Sequence, residues 1–375
     1  MRVMLYGTES VIHVRRYIRL LELAGCETVL IDRAARRIDP QTLYRVYPRR
    51  FDRLRRLLGS PVADRLHRML LRHLARSIRP DIHHVQWIDD RAWHCAKAGL
   101  RPLVATAWGS DLNWMMLPGA NPAAKRAVSE ALRALDMLIV DSPDMAEVAN
   151  TLAGTKVNSV LLPLGIDTKR FRPDAAARAR WRSDLAIEPE ALVVLSPRAA
   201  GANYRQAEII RAFAAWRPSA ARKAYLVIRT FGSEPDTYVP KLKPLATRLG
   251  IDDAVRWVGD RPYKEVPGQW AVADIAINFP GMDAFPVTIL EALASGVPLL
   301  TNRLPAYEAS RFSEFLQYID ENSEAGLMRG LTAIVAGLES AKALALRGRD
   351  QVVMHDDERV TARRLRALYE SLGAA

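Results

Sequence analysis

The chain of 375 residues contains only two cysteines, Cys26 and Cys95, which stand far apart in the sequence. So few thiols argue against a disulfide framework or a cysteine-bound zinc site. No apolar run reaches the roughly 18 residues that a membrane-spanning helix needs. The first residues, MRVMLYGTES, lack the long apolar segment and cleavage site of a signal peptide. We therefore expect a reduced, cytoplasmic protein.

Positive charge is concentrated in one segment of the chain. The formal net charge is +12, of which residues 1–165, with 25 basic and 16 acidic side chains, contribute +9. Residues 45–79 alone contain eleven arginines against two aspartates, Asp52 and Asp64, which is again an excess of +9. An anionic partner for this segment is the expectation.

Short apolar runs alternate with helical patterns along the whole chain. Most of these runs are nearly continuous in apolar residues, which is typical of strands buried on both faces. They are RVMLYG, TVLID, DIHHVQW, PLVATAW, DMLIVDS and NSVLLPLG, then ALVVLSPR, AYLVIRTFG, AVRWVGD, DIAINFP, VPLLTN and FLQYID. Alternation of strand and helix predicts α/β domains with doubly wound parallel sheets.

The strand pattern restarts after residue 166, where a charged segment with proline follows. We predict two Rossmann-like domains that face each other across a cleft, over residues 1–166 and 167–355. Residues 356–375 are predicted to form a terminal helix that packs back on the first domain. Ligands of such sheets bind beyond the carboxyl ends of the strands, so residues that follow strands are the candidates for function.

One such stretch, PGMDAFPVTILEALASG at residues 280–296, carries two acids. Pro286 suits a first helical turn and Gly296 a helix stop, so free N–H groups near 287–289 would form an anion site suited to a diphosphate. Thr288 adds a hydroxyl, and Glu291 lies on the same helix face. Glu291 and Asp283 are placed to accept hydrogen bonds from sugar hydroxyls. An ordinary surface glutamate and an ordinary loop aspartate remain the alternative.

This stretch resembles the donor motif of family 4 glycosyltransferases, in which an acid is followed by Phe-Pro and then by a glutamate within EALASGVP. Four other stretches are similar to segments of the same family: LPLGIDTKRFRPD, DMLIVDSPDMAEVAN, LVATAWGSDL and AVRWVGDRPYKEVPGQWAVADIAI. The resemblance covers nearly the whole chain apart from residues 34–79. It implies the GT-B fold and transfer of a sugar from a nucleoside diphosphate with retention of configuration.

Three positions depart from the family pattern. Asp283 replaces the first glutamate, Trp108 replaces a histidine at a strand end, and Tyr204 stands where the family has a donor-phosphate lysine. Arg198 matches the arginine of that phosphate pair, and Arg205 is available in place of the lysine.

The resemblance assigns the donor site to the second domain. It implies catalytic roles for Arg198, Asp283 and Glu291, without a protein nucleophile, because the leaving phosphate itself helps to deprotonate the acceptor. The full donor-binding set is Arg198, Arg205, Val258, Asp283, Ala284, Phe285, Pro286, Val287, Thr288 and Glu291.

No cofactor or metal is expected beside the nucleotide-sugar co-substrate. No paired aspartates occupy a strand end, and Asp89 with Asp90 is predicted to start a helix. Arginine side chains and a helix dipole can instead offset the charge of the leaving diphosphate. For Arg198, a surface arginine after a strand is the alternative.

The first domain is predicted to contact the acceptor through Gly7, His13, Arg15, Trp108 and Asp111. Gly7 ends the first strand and lets backbone approach a ligand. His13 is equally suited to a structural hydrogen bond, and Trp108 to a core position or to stacking on a sugar. Asp111 is suited either to bind an acceptor hydroxyl or to cap the LNWMM helix.

The arginine-rich segment 45–79 interleaves arginine with apolar residues at helical spacing. The apolar positions are Leu54, Leu57, Leu58, Leu66, Met69, Leu70 and Leu74. A basic amphipathic helix of this kind is typical of binding to an anionic membrane surface. A solvated face with its leucines in the core is the alternative, and nucleic acid is disfavoured because few aromatic residues accompany the arginines.

The sequence patterns and the family resemblance together imply a metal-independent, retaining glycosyltransferase for polysaccharide or cell-envelope synthesis. It acts on a glycan or lipid-linked acceptor and lies in the cytoplasm or on the cytoplasmic face of the membrane. A degenerate GT-B binding or scaffold protein and a nucleotide-sugar epimerase are the alternatives.

Overall fold

The computed structural model describes residues 1–32, 43–45, 60–232 and 234–373. The chain forms two compact units, the first of Met1–Gly165 with Glu358–Ala375 and the second of Ile166–Asp357. The second unit begins and ends side by side, since Ile166 and Asp357 form an isolated parallel bridge.

The first unit contains a parallel sheet in the order β3-β2-β1-β4-β5-β6-β7. Within it, Leu5 of the first strand is aligned with Leu30 on one side and His84 on the other. The strands are β1 (Arg2–Tyr6), β2 (Glu27–Asp32), β3 (Leu43–Arg45), β4 (Ile82–Gln86), β5 (Leu103–Thr106), β6 (Met137–Val140) and β7 (Ser159–Leu161). Six of them lie in the apolar runs that the sequence pattern predicts as strands.

Helices connect and flank these strands. They are α1 (Ile12–Leu23), α2 (Ser60–Ile78), α3 (Asp90–Lys97), α4 (Ser110–Met116), α5 (Pro122–Arg133), α6 (Pro143–Ala153) and the terminal helix of this unit, Glu358–Gly373. The terminal helix packs against α1, and Glu358 at its start is bonded to Arg19 of α1 at 2.7 and 3.0 Å. Asp89 caps α3, as predicted, by accepting the N–H of Arg91.

The second unit contains a parallel sheet in the order β10-β9-β8-β11-β12-β13. All six strands fall within predicted runs. They are β8 (Leu192–Ser196), β9 (Ala224–Arg229), β10 (Val255–Val258), β11 (Ile275–Asn278), β12 (Leu299–Thr301) and β13 (Gln317–Tyr318).

The helices of the second unit lie between these strands or follow them. They are α7 (Ala175–Asp184), α8 (Gln206–Trp216), α9 (Pro235–Arg248), α10 (Val266–Ala271), α11 (Val287–Ala294), α12 (Pro305–Glu308), α13 (Glu324–Ala336) and α14 (Leu338–His355), so that the terminal helix Glu358–Gly373 is α15. Short 3-10 turns occur at Ala202–Tyr204, Arg217–Ser219, Asp252–Ala254, Tyr263–Glu265 and Ser313–Phe315.

Both sheets reverse their strand order at an equivalent place. In the first unit the chain moves outward from β1 to β3 and then returns to the other side of β1 with β4; in the second, β8 and β11 are the corresponding neighbours. Loops on either side of such a reversal separate at the carboxyl ends of the strands and leave room for a ligand. The β1/β4 and β8/β11 pairs are therefore the places to examine for function.

Two adjacent histidines lie inside the first sheet. Nδ1 of His83 is 2.9 Å from the Tyr6 hydroxyl, whereas His84 contacts Tyr369 of α15 and the Thr106 hydroxyl through its two ring nitrogens. Burial lowers the pKa of His83 to about 4 and that of His84 to about 3. Both rings are therefore neutral at pH 7 and serve as hydrogen-bonding parts of the core.

Only part of the arginine-rich segment can be compared with its prediction. Leu54, Leu57 and Leu58 lie outside the described residues, whereas residues 60–78 form the α2 helix. Leu66 and Met69 are exposed by 39% and 54%, so the core alternative is wrong for these two side chains. Within the described ranges, no helix is both long and apolar enough to cross a bilayer.

Candidate functional site

Four side chains form a compact hydrogen-bonded network beside the β8/β11 reversal. Arg198, two residues after β8, places Nη1 2.5 Å from Oδ2 of Asp283 and 3.2 Å from Oδ1 of Asn278. The Tyr307 hydroxyl donates to Oδ2 of Asp283 at 2.7 Å and accepts from Nδ2 of Asn278 at 2.8 Å. We call Arg198, Asn278, Asp283 and Tyr307 the Arg198 network.

The Arg198 network is shielded from water, which strengthens its charge interactions. Side-chain exposure is 11% for Arg198 and 15% for Asp283. Burial acts to lower the pKa of Arg198, but Asp283, with Tyr204 and Tyr307, outweighs burial and raises that pKa above its ordinary value. Burial, aided by Asp283, raises the pKa of Tyr307, so its hydroxyl stays protonated and donates to the carboxylate.

Tyr204, the residue in place of the expected lysine, lies directly against this network. The Arg198 guanidinium is 4.3 Å from the centre of the Tyr204 ring, a cation–π distance. Arg205, the predicted substitute for that lysine, adopts a left-handed backbone conformation at the start of α8. Its Nη1 donates to Oδ1 of Asn322 at 2.7 Å, and its guanidinium lies over Phe279.

Asn203 fixes the loop that carries Asp283. Its backbone oxygen accepts the N–H of Gly281 at 2.7 Å, and its side chain both accepts from and donates to the backbone of Met282. The loop is thereby tied to the turn after β8. The sequence gives no signal for this role, because an asparagine in a loop is common.

Glu291 lies on the buried side of α11, with 7% exposure. Its Oε2 accepts the indole N–H of Trp270 at 3.0 Å. Arg229, the last residue of β9, lies near Glu291. Burial lowers the pKa of Arg229, whereas the negative charge of Glu291 acts to raise that pKa. The surface-residue alternative for Glu291 is therefore wrong.

The start of α11 differs in detail from the prediction. Pro286 is the N-cap and the helix begins at Val287, one residue later than expected. The N–H of Ile289 donates to the Pro286 carbonyl oxygen at 3.0 Å, so it is not part of a free anion cradle. The predicted anion site is therefore reduced to the backbone N–H groups of Val287 and Thr288, and the Thr288 side chain is half-buried.

Three further members of the predicted donor set are buried and already have partners within the second unit. Ala284 and Phe285 are 4% exposed, and Phe285 stacks on Phe312. Val258 ends β10, where its carbonyl oxygen accepts both the N–H and the hydroxyl of Thr230, at 2.8 and 3.2 Å. The backbone oxygen of Val258 is thus already engaged.

In the first unit, aromatic side chains gather at the carboxyl ends of β4 and β5. The His13 ring stacks on Trp108 with centroids 4.5 Å apart, and Trp87 lies 5.7 Å from Trp108. Trp108 also donates its indole N–H to Oε1 of Gln86. Trp87 is the last residue of the predicted run DIHHVQW and directly follows β4, but the sequence pattern assigns it no functional role.

Gly7 and Arg15 have local structural contacts. A Cβ at Gly7 would lie 2.9 Å from a methyl group of Val14, so glycine is needed for α1 to pack against the end of β1. Arg15 is exposed and donates to the backbone oxygen of Glu9 at 2.9 Å.

Asp111 ties two loops of the first unit together. Its two carboxylate oxygens accept the backbone N–H groups of Ile88 at 2.8 Å and Trp108 at 3.1 Å. Gly109, not Asp111, is the N-cap of α4, so the capping alternative is wrong in detail. Burial raises the pKa of Asp111 to about 6, against the lowering effect of these hydrogen bonds.

Across the described part of the chain, no group of three or more histidine, cysteine, aspartate or glutamate side chains is arranged to hold a metal ion.

Family models match both parts of the chain. The model described as "Glycosyltransferase Family 4" matches residues 10–170, and "Glycosyl transferases group 1" matches residues 177–311. Together the two matches cover well over half of the chain.

Curated relatives include a GDP-mannose-dependent alpha-(1-6)-phosphatidylinositol monomannoside mannosyltransferase of Mycolicibacterium smegmatis. It is 30% identical over 214 residues, which are 55% of this chain and 53% of the relative. The protein of the same name from Mycobacterium tuberculosis H37Rv is 27% identical over 271 residues, covering 68% and 66%. The matches thus span about half to two thirds of these relatives.

Solved structures share the fold over the full chain. Sucrose-phosphate synthase from Thermosynechococcus elongatus has a TM-score of 0.77 at 16% identity, covering 100% of this chain and 99% of the other. Anabaena HepE in complex with UDP-glucose has a TM-score of 0.79 at 16% identity, covering 100% of both. The fold is that of the GT-B glycosyltransferases, and the chain belongs to the glycosyltransferases that these two family models describe.

Proposed function

We propose that this protein transfers a hexose-type sugar from a nucleoside diphosphate to a glycan or lipid-linked acceptor, with retention of configuration and without a required metal. The second unit holds the donor and the first the acceptor. The Arg198 network carries this proposal, because it presents a shielded guanidinium beside the β8/β11 reversal of the sheet, where ligands of such sheets bind.

Arg198 supplies the positive charge that the leaving diphosphate needs. In a transferase of this kind, negative charge grows on the diphosphate while the sugar becomes oxocarbenium-like. A pre-positioned cation in a water-poor site stabilises that charge more effectively than water does. In the structure Arg198 is neutralised by Asp283, so we infer that the donor phosphates replace Asp283 on the guanidinium.

Asp283, released from Arg198, is then available to sugar hydroxyls. The Tyr307 hydroxyl still holds Oδ2 of Asp283, which limits how far the carboxylate moves. The Asp283 side chain is one methylene shorter than the glutamate of the family pattern. Its carboxylate therefore lies closer to its own backbone, where it contacts Arg198 directly. Glu291, held by Trp270, orients the donor from α11.

For the donor, GDP-mannose is our first candidate. The two mycobacterial relatives described above are named as GDP-mannose-dependent enzymes that act on a phosphatidylinositol monomannoside. A mannosyl donor and a lipid-linked acceptor are accordingly the first pair to test. Acceptor contacts are proposed for the His13, Trp87 and Trp108 cluster, since aromatic faces stack on sugars.

A lipid-linked acceptor fits a peripheral location on the cytoplasmic face of an anionic membrane. On α2, the exposed apolar side chains Val62, Leu66 and Met69 follow helical spacing, and exposed Arg65 and Arg72 flank them. This arrangement is typical of helices that lie in a membrane interface.

The experiment is a donor screen with the purified protein. Transfer or slow hydrolysis of GDP-mannose, compared with other nucleotide sugars, identifies the donor. We expect Glu291→Ala to lose turnover and donor affinity together, whereas Glu339→Ala, at an exposed position on α14, should retain both. Unchanged kinetics in Glu291→Ala would exclude the proposed site. Nucleotide binding without any turnover would instead indicate a scaffold protein.

A further inference from the structure

A hollow lined by basic side chains opens in the second unit, apart from the Arg198 network. Its volume is about 450 Å³, within the range of small-molecule sites, and it lies between residues 169–172, α7 and the turn that leads into α10. Its lining shares no residue with the Arg198 network. Five cationic side chains line it: Lys169, Arg170, Arg172, Arg180 and Lys264.

Other arginines on α7 have structural roles, which makes Arg180 stand out. Arg178 donates to backbone oxygens at the end of α10 and to Asp274, and Arg182 is bonded to the other oxygen of Asp274 at 2.8 Å. These two arginines, four residues apart, bind α7 to α10. Arg180, between them in sequence, faces away and lines the hollow.

None of the five cations forms an ion pair with a carboxylate, as far as the described residues show. Arg170 alone has a ring partner, since its guanidinium lies 5.9 Å from the centre of Tyr263. Mutual repulsion among five cations disfavours such a cluster unless an anion offsets it.

Carboxylates at the rim do not neutralise the cluster. Three line the hollow, which leaves it with two net positive charges. Asp174 is engaged in capping α7, where its Oδ1 accepts the N–H of Ala177 at 2.8 Å. Glu265 lies 3.9 Å from Arg261, outside the hollow's lining. Asp184 is the third.

The floor of the hollow is formed where two helices pack closely. A Cβ at Gly268 would lie only 2.2 Å from Nε1 of Trp181, so no larger residue fits where α10 meets α7. Trp181 is 8% exposed and belongs to the core of this unit. A rigid aromatic floor with a cationic rim suits a compact anion.

We infer that this hollow binds a phosphate ester that carries at least two negative charges, at a site separate from the donor diphosphate. Arginine forks and lysine ammonium groups match phosphate oxygens in geometry and charge. The same chemistry is offered by a soluble phosphorylated compound and by a phosphorylated lipid headgroup. The inference does not depend on the proposed transferase activity.

Inorganic pyrophosphate is the probe, titrated by calorimetry into the Arg198→Gln protein so that the donor site contributes little. We expect one remaining site, weakened about tenfold or more by adding Arg172→Gln with Arg180→Gln. Lys241→Gln with Lys243→Gln, two exposed lysines of α9, is the control with the same loss of charge and should leave binding unchanged. All four side chains are exposed, so the thermal midpoint should not change.

Binding that is absent from the Arg198→Gln protein, or that falls equally in both double variants, would overturn the inference. Sedimentation with phosphatidylcholine vesicles, with and without phosphatidylinositol phosphate, then distinguishes the source. If Arg172→Gln with Arg180→Gln weakens binding only to the phosphorylated vesicles, the ligand is a headgroup. If it weakens pyrophosphate binding alone, the ligand is a soluble phosphate.

Discussion

At the residue scale, the position of Asp283 depends on both Arg198 and Tyr307. A shielded ion pair is costly to break from one side only, because the remaining charge is left without a partner. Removal of the Tyr307 hydroxyl leaves the ion pair intact and takes away one hydrogen bond to the carboxylate. Tyr307 is thus a residue through which the positioning of Asp283 can be tested separately from its charge.

We predict that Tyr307→Phe lowers kcat about tenfold, the value of a hydrogen bond to a charged group, with a smaller change in the KM for the donor. The physical reason is that, without the Tyr307 hydroxyl, the Asp283 carboxylate is no longer held in position beside the sugar. Steady-state kinetics with the identified donor measure this split. Urea unfolding of the same variant shows how much stability is lost with the Asn278 bond.

Tyr318→Phe is the matched control for that variant. It removes a hydroxyl that is bonded at 3.0 Å to Ser313, in the same unit but outside the Arg198 network. An equal loss of kcat in both variants would mean that Tyr307 acts only through general stability.

The two buried histidines predict how stability depends on pH. Their folded pKa values of about 4 and about 3 lie below the ordinary value of 6.5, so the unfolded chain binds more protons at mildly acidic pH. Their stabilising effect is full above pH 6.5 and is lost as the pH falls towards 4. Between pH 7.5 and 5, each histidine should cost about 2 kcal/mol of unfolding free energy.

Urea unfolding of the protein at these two pH values measures the loss. His84→Gln should reduce this loss by about 2 kcal/mol, the share of one histidine, whereas His73→Gln, at an exposed position on α2, should leave it unchanged. A pH dependence that is the same in all three proteins would contradict this account of the first sheet.

Some site residues can be predicted from sequence and others cannot. Asp283 precedes a predicted helix start, which is a local pattern, whereas Arg198 is selected by the family resemblance and by its place at the end of a strand. Asn278 and Arg229 end strands and meet the same criterion, yet they were overlooked. Tyr307 belongs to the network only through packing between distant segments, which no local pattern contains.

At the element scale, continuous apolar runs predicted twelve strands, and each run contains one. One observed strand, β3, was not predicted. Its three residues, Leu43–Arg45, include a single aliphatic side chain and so form no apolar run. Burial on both faces makes the inner strands easy to recognise, whereas a short edge strand lacks that signal. The start of α11 was misplaced by one residue because proline suits both the cap and the first turn.

The surface of α2 gives a prediction about membrane binding. Charge reversal of Arg65, Arg72 and Arg76 to glutamate should weaken binding to anionic vesicles by about 3 kcal/mol, or roughly a hundredfold, since each basic residue near the surface contributes about 1 kcal/mol. Vesicle sedimentation at low and high salt measures this effect, which should be largest at low salt.

Reversal of Lys125, Arg126 and Lys156, three exposed cations of the same unit, is the matched control and should have a smaller effect. Leu66→Ser with Met69→Ser tests the apolar part of the surface. A parent protein that does not bind anionic vesicles at all would exclude the membrane proposal.

At the scale of the whole molecule, both units use the same strand order around a central reversal. A fold of this kind depends on the order of buried strands and helices more than on particular residues. That explains why structures only 16% identical share it over the full chain. In the proposed function, by contrast, the few side chains at the β1/β4 and β8/β11 reversals bind the substrates.

The proposed chemistry predicts that metal removal has little effect. Since Arg198 and the start of α11 supply the positive charge, EDTA should leave the transfer rate within about twofold of its untreated value. The assay is repeated after Mg²⁺ and Mn²⁺ are added back. A large loss that Mn²⁺ restores would show that the diphosphate needs a cation beyond these groups.

The most direct test of the account is a calorimetric titration of GDP, and of other nucleoside diphosphates, into the parent protein and two variants. We predict one nucleotide that binds the parent and binds Arg198→Gln at least about tenfold more weakly. Arg211→Gln, which breaks a more exposed ion pair with Glu324 in the same unit, should bind like the parent. Equal affinity in all three proteins would contradict the claim that Arg198 holds the donor diphosphate.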